Sequence, residues 1–255
     1  MAVAMMSALQ GEIEFMVAQM TGVRAISGLQ REFYTGDIEG KEAVVVGSGV
    51  GKVRAAACTQ YLIDRFNVRS LIVFGLAGAL NTNLSVGDIV VSRETAMHDY
   101  HIAGEGVAED IRLHPIAADQ DLVALAMRAA SMSGTPGHLG LVLTGDEAIA
   151  DAGRRFALRQ RFGGDCVDME SAAAALVCCM NDVPFVVVRG ISDLADEHAH
   201  RQFETAFARV SQRSTEVVLQ MVRLLPPSSG AVRRPAAGRT AGFDQDGDHR
   251  ITQGY

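Results

Sequence analysis

Three polar side chains stand directly after an apolar strand pattern. Residues 183–196 read VPFVVVRGISDLAD, and the valine run that ends at Val188 is typical of a strand buried in a sheet. Arg189, Ser192 and Asp193 follow it. A closed core would exclude such groups, because buried charge needs partners. The end of this strand is therefore predicted to be a functional site.

A second acidic group lies upstream. Residues 167–175 read VDMESAAAA, in which Asp168 and Glu170 precede an alanine-rich run that favours a helix as far as Met180. Glu170 and Asp193 are therefore expected to converge on one pocket. Two carboxyl groups that face one ligand are suited to general acid and base catalysis.

These groups need a scaffold, and the remaining apolar patterns predict one. Strand patterns alternate with helical patterns, which indicates a single α/β domain with a mixed, largely parallel central sheet flanked by helices. Ligands of such sheets bind beyond the strand ends. The predicted strands cover residues 2–7, 43–47, 71–75, 88–92, 139–143 and 184–189, and the predicted helices cover residues 12–20, 52–66, 119–131, 153–162, 169–180 and 202–224.

Composition narrows the class of ligand. The chain has 255 residues, 48% of them hydrophobic, which is enough for one large domain. Its net charge of −7 gives no general attraction to nucleic acid or anionic lipid, so a small-molecule substrate is expected. We expect a cytoplasmic protein with no membrane span, because no signal peptide is evident and the four cysteines lack the spacing of metal or disulfide sites. Residues 1–225 form the predicted catalytic domain, and residues 226–255, rich in Pro, Gly and Arg, form a predicted disordered tail.

The two acidic segments, VDMES and VPFVVVRGISDLAD, closely resemble the methylthioadenosine/S-adenosylhomocysteine nucleosidases of the nucleoside phosphorylase and nucleosidase superfamily. The resemblance spans roughly residues 1–225. It implies a nucleoside phosphorylase-like fold and hydrolytic release of adenine from a 5′-modified adenosine, with no cofactor and no metal. Further matching segments occur upstream in the expected order: SALQGEI, SGVGKVRAA, FGLAGALNTNLSVGDIVVS and TGDEAI.

The resemblance implies three catalytic carboxyl groups. Asp193 corresponds to the acid that protonates the purine, and Glu170 to the group that bridges the 2′ and 3′ hydroxyls of the ribose. Glu12, in SALQGEI, corresponds to the carboxylate that activates water. Without the resemblance, Glu12 would ordinarily be interpreted as a solvent-facing first-turn carboxylate that the helix dipole stabilises.

Further residues are implied to bind the substrate. Ala77 and Gly78 would contact the purine through backbone groups, and Ala148 and Ile149 belong to the same base-binding set. Phe203 would pack on the purine, unless it is simply the apolar face of a helix.

Three other positions carry an alternative interpretation. Met169 would lie under the sugar, or belong to the core. Arg189 would contact the ligand, or form a structural ion pair with Glu170 or Glu12. Ser192 would touch the base, or orient Asp193.

The chain departs from the family at three positions. Ala148 stands where an aromatic residue commonly stacks on adenine, Leu76 replaces a serine, and Glu105 occupies a loop position that is often apolar. Nucleosidases for other 5′-substituted adenosines, such as aminofutalosine or adenosylhopane, therefore remain alternatives.

Two further alternatives are a phosphorolytic enzyme on the same fold and a non-catalytic nucleoside-binding protein. The region 75–80 offers no arginine for phosphate, and retention of the three carboxyl groups argues against loss of catalysis. The resemblance also implies a homodimer, in which residues 98–113 are the candidate loop that completes the neighbouring 5′ pocket. His98 and Asp99 are expected in that loop or interface.

Overall fold

The computed structural model describes residues 1–100, 115–135 and 137–226. The predicted tail therefore lies outside the described residues apart from Pro226, as does most of the candidate interface loop, including Glu105. The elements are β1 Ala2–Ser7, α1 Gln10–Val17, β2 Thr21–Gly28, β3 Arg31–Ile38, β4 Lys41–Gly47, α2 Lys52–Phe66, β5 Val68–Ala79, β6 Ile89–Met97, β7 Ile116–Ala117, α3 Gln120–Met132, β8 Gly137–Thr144, α4 Ala152–Phe162, β9 Cys166–Asp168, α5 Ser171–Met180, β10 Phe185–Asp193 and α6 Ala199–Leu224.

All ten strands join one sheet, which differs from the predicted sheet in two respects. Five pairings are parallel and five are antiparallel, so the sheet is mixed but not largely parallel. The sheet also closes on itself, because β5 pairs with β10 along its length and with β9 at its last two residues. Strands β5, β10, β6, β8 and β9 thus form a barrel-like ring, to which β1, β4, β3 and β2 are attached through β5.

Two hydrophobic cores cover the two faces of the sheet, as the prediction of flanking helices requires. All six residues of β1 are buried, and they alternate between the cores: Met6 packs with Leu62 of α2, and Met5 packs with the core that holds Met221 of α6. Helices α2 and α5 lie on the first face, and α1, α3 and α6 on the second. Within the described residues, no helix is long and apolar enough to cross a membrane.

Each predicted strand and helix is present, with ends that shift by a few residues. The hairpin of β2 and β3 is absent from the prediction, because β2 is almost entirely exposed and lacks an alternating apolar pattern. In its turn, Leu29 and Gln30 have positive φ, which is uncommon for residues other than glycine and so was not predicted from the sequence. Strand β9 is only three residues long, too short for a periodic signal.

Candidate active site

A cavity of about 450 Å³ opens where β1, β5, β9 and β10 end. This volume lies in the range of small-molecule sites. The structure brings together every residue predicted to be catalytic or to bind the substrate. The lining includes Glu12, Ala77, Gly78, Ala148, Ile149, Met169, Glu170, Arg189, Ser192, Asp193 and Phe203.

Gly75 is the point at which several polar side chains of the site approach the backbone. It pairs with Arg189 across the parallel strands β5 and β10, and its φ of +131° is one that L side chains rarely adopt. A Cβ at this position would lie 2.6 Å from Ser7 Oγ, 2.7 Å from Glu12 Oε1 and 2.8 Å from Arg189 Nη1. Only glycine therefore leaves room for these groups to meet.

Glu12 is fixed in the first turn of α1 and is only 2% exposed. Its Oε2 accepts hydrogen bonds of 2.7 Å from both Ser7 Oγ and the backbone N–H of Leu9. Its Oε1 accepts a hydrogen bond of 3.1 Å from the backbone N–H of Leu76. Three donors thus hold the carboxyl group in one orientation at the cavity wall.

Arg189 is 1% exposed, and its guanidinium group is hydrogen-bonded to other residues of the chain. Its Nε donates to Asp168 Oδ2 at 2.8 Å, its Nη1 to the carbonyl of Phe74 at 3.1 Å, and its Nη2 to Ser171 Oγ at 3.0 Å. Glu170 Oε2 lies 3.6 Å from Nη2. The ion-pair interpretation therefore describes its contacts, with Asp168 rather than Glu12 as the closest carboxylate.

Asp168 connects these groups, although the sequence did not single it out as a site residue. It accepts hydrogen bonds from Thr144 Oγ1 at 2.6 Å, from Ser171 Oγ and from the backbone N–H of Ser171, in addition to Arg189. The motifs VDMES and TGDEAI contain these residues, so motif membership was the available signal. The network fixes the start of α5, where Glu170 is the N-cap residue.

Glu170 faces the cavity between a cation and a backbone donor. Its Oε1 accepts a hydrogen bond of 2.9 Å from the backbone N–H of Gly51, in the glycine-rich loop before α2. Burial raises the pKa of Glu170 to about 7, although Arg189 and the Gly51 N–H act in the opposite direction. Near neutral pH, this carboxyl group therefore populates both protonation states.

Asp193, at the end of β10, is 8% exposed. Its Oδ2 lies 2.7 Å from Ser192 Oγ, and its Oδ1 accepts a hydrogen bond of 3.0 Å from the backbone N–H of Ala195. Burial raises the pKa of Asp193, while these two hydrogen bonds lower it. The carboxyl group also lies close to the backbone of Gly78, where an added Cβ would be 2.9 Å from Asp193 Oδ1.

Ser192 can serve Asp193 in either protonation state. Its Oγ also lies 3.3 Å from the carbonyl of Ala77, and a hydroxyl group has one proton to donate. It donates to an ionised Asp193, or accepts from a protonated Asp193 while it donates to Ala77. This contact matches the interpretation in which Ser192 orients the acid.

Apolar side chains form the rest of the wall. Phe203 packs with Leu76 in a small cluster on α6, and its ring lies 5.5 Å from that of Phe207. It also lines the cavity, so the two interpretations of Phe203 are compatible. Ala148 is exposed in the cavity, and Met169 is half-buried between Asp168 and Glu170.

His98 and Asp99 lie in the loop after β6, which is one of the two placements expected for them. Asp99 accepts hydrogen bonds from Lys52 Nζ at 2.6 and 2.7 Å. His98 is 1% exposed, and neither ring nitrogen has a hydrogen-bond partner among the described residues. Burial lowers the pKa of His98. The described part of the chain contains no group of three or more metal-ligating side chains.

The arrangement provides three chemical capacities within one cavity. Asp193 can hold a proton, because its pKa is raised. Glu12 is an oriented acceptor that can take a proton from water, and Glu170 can accept hydrogen bonds from a polar ligand.

Comparison with known proteins identifies relatives along nearly the whole chain. The sequence model of the phosphorylase superfamily matches residues 2–223. A 5′-methylthioadenosine/S-adenosylhomocysteine nucleosidase from Staphylococcus carnosus is 34% identical over 227 residues, which cover 88% of this chain and 100% of the relative.

Solved structures share the same fold. The 5′-methylthioadenosine/S-adenosylhomocysteine nucleosidase from Neisseria meningitidis, in complex with methylthio-immucillin-A, aligns with a TM-score of 0.83 and 33% identity, over 88% of this chain and 99% of that one. The futalosine hydrolase of Helicobacter pylori aligns with a TM-score of 0.82 and 28% identity, over 88% and 98%.

Proposed function

Because the chain belongs to the phosphorylase superfamily and, within it, to the 5′-methylthioadenosine/S-adenosylhomocysteine nucleosidases, we propose that it hydrolyses the N-glycosidic bond of 5′-modified adenosines and releases adenine. The substrates of first choice are methylthioadenosine and S-adenosylhomocysteine. The reaction needs a proton for the leaving purine, stabilisation of a cationic sugar, and an activated water.

Asp193 supplies the proton in this proposal. A purine leaves more readily when N7 is protonated, because the departing base is then neutral. The raised pKa of Asp193 supports its role as general acid. Gly78 allows a flat ligand to approach, and Ser192 keeps the carboxyl group oriented in both protonation states.

Glu170 holds the ribose, and Met169 lies beneath it. An ionised Glu170 accepts hydrogen bonds from the 2′ and 3′ hydroxyls and stabilises the positive charge that grows on the sugar in the transition state. The Gly51 N–H and the Arg189 guanidinium favour this ionised form, against the burial that opposes it.

Glu12 deprotonates the attacking water from another side of the cavity. Its hydrogen bonds from Ser7, Leu9 and Leu76 hold it in one orientation. An acid and a base on separate elements, with room for water between them, match the logic of direct glycoside hydrolysis. No metal or organic cofactor takes part.

The hydrogen bonds that Arg189 makes to the protein favour hydrolysis over phosphorolysis. Among the described residues that line the cavity, Arg189 is the one arginine and no lysine is present. Its donors already bind Asp168, Phe74 and Ser171, so it has little capacity left for phosphate. The lining also carries five carboxyl groups against this one guanidinium: Glu12, Glu147, Asp168, Glu170 and Asp193.

Other 5′-substituted adenosines form a second class of candidate substrate. Because Ala148 has no aromatic ring to stack on the base, we expect weaker binding of the purine than in nucleosidases with an aromatic residue at this position. The likeness to a futalosine hydrolase, at 28% identity, also supports a substituent larger than methylthio.

One assay tests both parts of the proposal. Purified protein is incubated with methylthioadenosine, S-adenosylhomocysteine, aminofutalosine, adenosine and inosine, with and without phosphate, and free base and sugar are quantified. We expect phosphate-independent release of adenine. Turnover that requires phosphate and yields a ribose 1-phosphate would contradict hydrolysis, and tight binding without turnover would favour a nucleoside-binding protein.

We also propose a cytoplasmic homodimer. Val53, Tyr100 and Phe156 are exposed apolar side chains on segments close to the Lys52–Asp99 pair, and they suit a protein interface. The four cysteines are free, which suits a reducing compartment. Sedimentation velocity over a dilution series, with activity measured in parallel, tests the dimer. A fully active monomer would refute it.

A further inference from the structure

Lys52 lies at the centre of a charged cluster that the proposed mechanism does not use. Its Nζ contacts both carboxylate oxygens of Asp99, at 2.6 and 2.7 Å, and lies 3.4 Å from Asp146 Oδ2. The backbone N–H of Lys52 donates to Asp146 Oδ1 at 3.1 Å, and that of Asp146 donates to Asp99 Oδ2 at 2.8 Å. The cluster therefore ties three segments together: the start of α2, the end of β6 and the loop after β8.

Two of these segments form walls of the cavity. Val50, just before Gly51, lines one wall, and Glu147 to Ala150, just after Asp146, line another. The side chains of Lys52 and Asp99 are only 20% and 26% exposed, so water competes weakly for their contact. The cluster thus fixes the separation of the two walls.

Gly51 connects the charged cluster to Glu170. Gly51 immediately precedes Lys52, and its backbone N–H donates to Glu170 Oε1 at 2.9 Å. Gly51 has a φ of +102°, a conformation that glycine adopts readily but in which it is not locked. The direction of this N–H therefore depends on what holds the residues on either side. Arg54 Nη1 donates to the carbonyl of Val50 at 2.9 Å, and the Lys52 cluster holds the residue that follows Gly51.

We propose that Lys52 is a positioning residue for the hydrolysis proposed above: with Asp99 and Asp146, it holds the Gly51 N–H on Glu170, the carboxyl group that binds the sugar hydroxyls. The inference rests on the proposed function, although the contact between Gly51 and Glu170 can be tested without it.

The charges around Glu170 predict the effect of losing this contact. Arg189 of β10 faces Glu170 and lowers its pKa, whereas Asp168 of β9 and Glu12 of α1 raise it. The Gly51 N–H also lowers it, and burial raises it to about 7. If Gly51 moves away, the remaining groups shift the pKa upward. Glu170 is then largely protonated at pH 7.

The cluster itself does not titrate in the same range. Burial alone would lower the pKa of Lys52, but Asp99 and Asp146 raise it overall. Burial alone would raise the pKa of Asp99, but Lys52 and the Asp146 N–H lower it overall. Burial lowers the pKa of nearby His98, and Lys52 also lowers it whereas Asp99 raises it. Loss of Lys52 and loss of Asp99 should therefore shift the pKa of His98 in opposite directions, whereas both should raise the pKa of Glu170. An acidic limb that moves in the same direction in both variants therefore reports on Glu170.

The test compares Lys52→Met, Lys52→Arg and Asp99→Ala with the wild type, by the pH dependence of kcat/KM for adenine release. Arg223→Met is the matched control, because it removes an ion pair with Glu39 of similar length, 2.8 Å, that lies outside the cavity lining. The quantity measured is the ratio of variant to wild type at each pH, in which effects of other titrating groups cancel.

In Lys52→Met, the acidic limb should move upward by about one pH unit, the effect of one lost hydrogen bond to a charged group. The ratio to wild type should then be roughly one fifth at pH 7 and close to one at pH 9. Asp99→Ala should behave similarly, Lys52→Arg should restore most of the activity, and Arg223→Met should leave the ratio at one. A ratio that is constant across pH, or equal to one throughout, would overturn the proposal.

A second measurement does not depend on activity. The carboxyl carbon of Glu170, assigned with Glu170→Gln, is titrated by NMR in the wild type and in Lys52→Arg, Lys52→Met and Asp99→Ala. The pKa should rise in every folded variant that lacks the ion pair. If the wild type releases no adenine, the proposed function fails. If adenine is released but the Glu170 titration is the same in all folded variants, only the role of Lys52 fails.

Discussion

The backbone N–H of Leu76 lies 3.1 Å from Glu12 Oε1 and links the first helix to the end of β5. Leu76 is a residue at which the chain departs from the nucleosidase pattern, in which serine is common. The structure uses the backbone of this residue to hold the carboxylate, so the side chain is free to vary. Leu76 instead packs against Phe203 and Val210.

Glu12→Gln should abolish water activation but preserve substrate binding. The amide cannot take a proton, and we expect kcat to fall by roughly 10²–10⁴. Bound substrate should persist uncleaved, which isothermal calorimetry and a single-turnover assay can establish. Glu14→Gln, an exposed carboxylate in the same helix, is the control and should leave kcat unchanged. Near-normal turnover of Glu12→Gln would remove Glu12 from the mechanism.

Asp193→Asn should also lower kcat by roughly 10²–10⁴, because the purine then leaves without a proton. The amide can keep the hydrogen bond from Ala195, so the fold and nucleoside binding should survive. The pair of kcat and Kd values tests this, with the exposed Glu197→Gln as control. A variant that turns over normally would exclude Asp193 as the acid.

Glu170→Gln should stabilise the fold increasingly as the pH rises. The folded-state pKa of Glu170, about 7, lies above the usual 4.5. The wild-type fold is therefore most stable relative to the unfolded chain below pH 4.5, and it loses this contribution to the free energy of unfolding as the pH rises through 7. The gain of the variant should grow over this window and level off above it at about 3 kcal/mol. Urea unfolding at several pH values measures it, and a gain independent of pH would contradict the raised pKa.

Gly75→Ala should destabilise the protein and impair catalysis together. The added Cβ would meet Ser7, Glu12 and Arg189 within 2.8 Å, in a backbone conformation unsuited to alanine. Gly40→Ala is the control for positive φ in open space, since Gly40 has a φ of +73° and no atom within 4 Å of the added Cβ. We expect Gly75→Ala to lose roughly 1–3 kcal/mol more than this control. Equal losses in urea unfolding would show that the close approach is unimportant.

Ala148→Phe should tighten substrate binding. If the side chain faces the purine, an added ring restores a stacking contact worth about 1–3 kcal/mol. An overpacking cost of similar size limits the decrease in KM to roughly tenfold. Equal gains in kcat/KM and 1/KM would indicate uniform binding. Loss of binding in a folded variant would mean that Phe203 already fills the space.

The sequence was most informative where burial is nearly complete. The run of valines before Arg189 predicted β10, and the polar residues at its end all line the cavity. The barrel-like closure was not predictable in this way. It depends on β9, a strand of three residues, and on the second pairing of β5, neither of which leaves a periodic pattern.

The site shows the same division. Carboxyl groups in recognisable motifs were found, but the partners that set their chemistry were not. Asp168 holds Arg189, and Gly51 donates to Glu170 from a position more than a hundred residues away. Such contacts exist only after folding, because they join residues that share no local pattern.

The closed ring of strands cannot form until the ribosome has synthesised β10. Strand β5 ends at Ala79, but its partner β10 begins only at Phe185. At typical rates of synthesis, the edge of β5 waits about 5–20 s for that partner. An unpaired apolar edge is a template for pairing with other chains. The edge of β5 beside the cavity is therefore a segment of the nascent chain that a chaperone would protect.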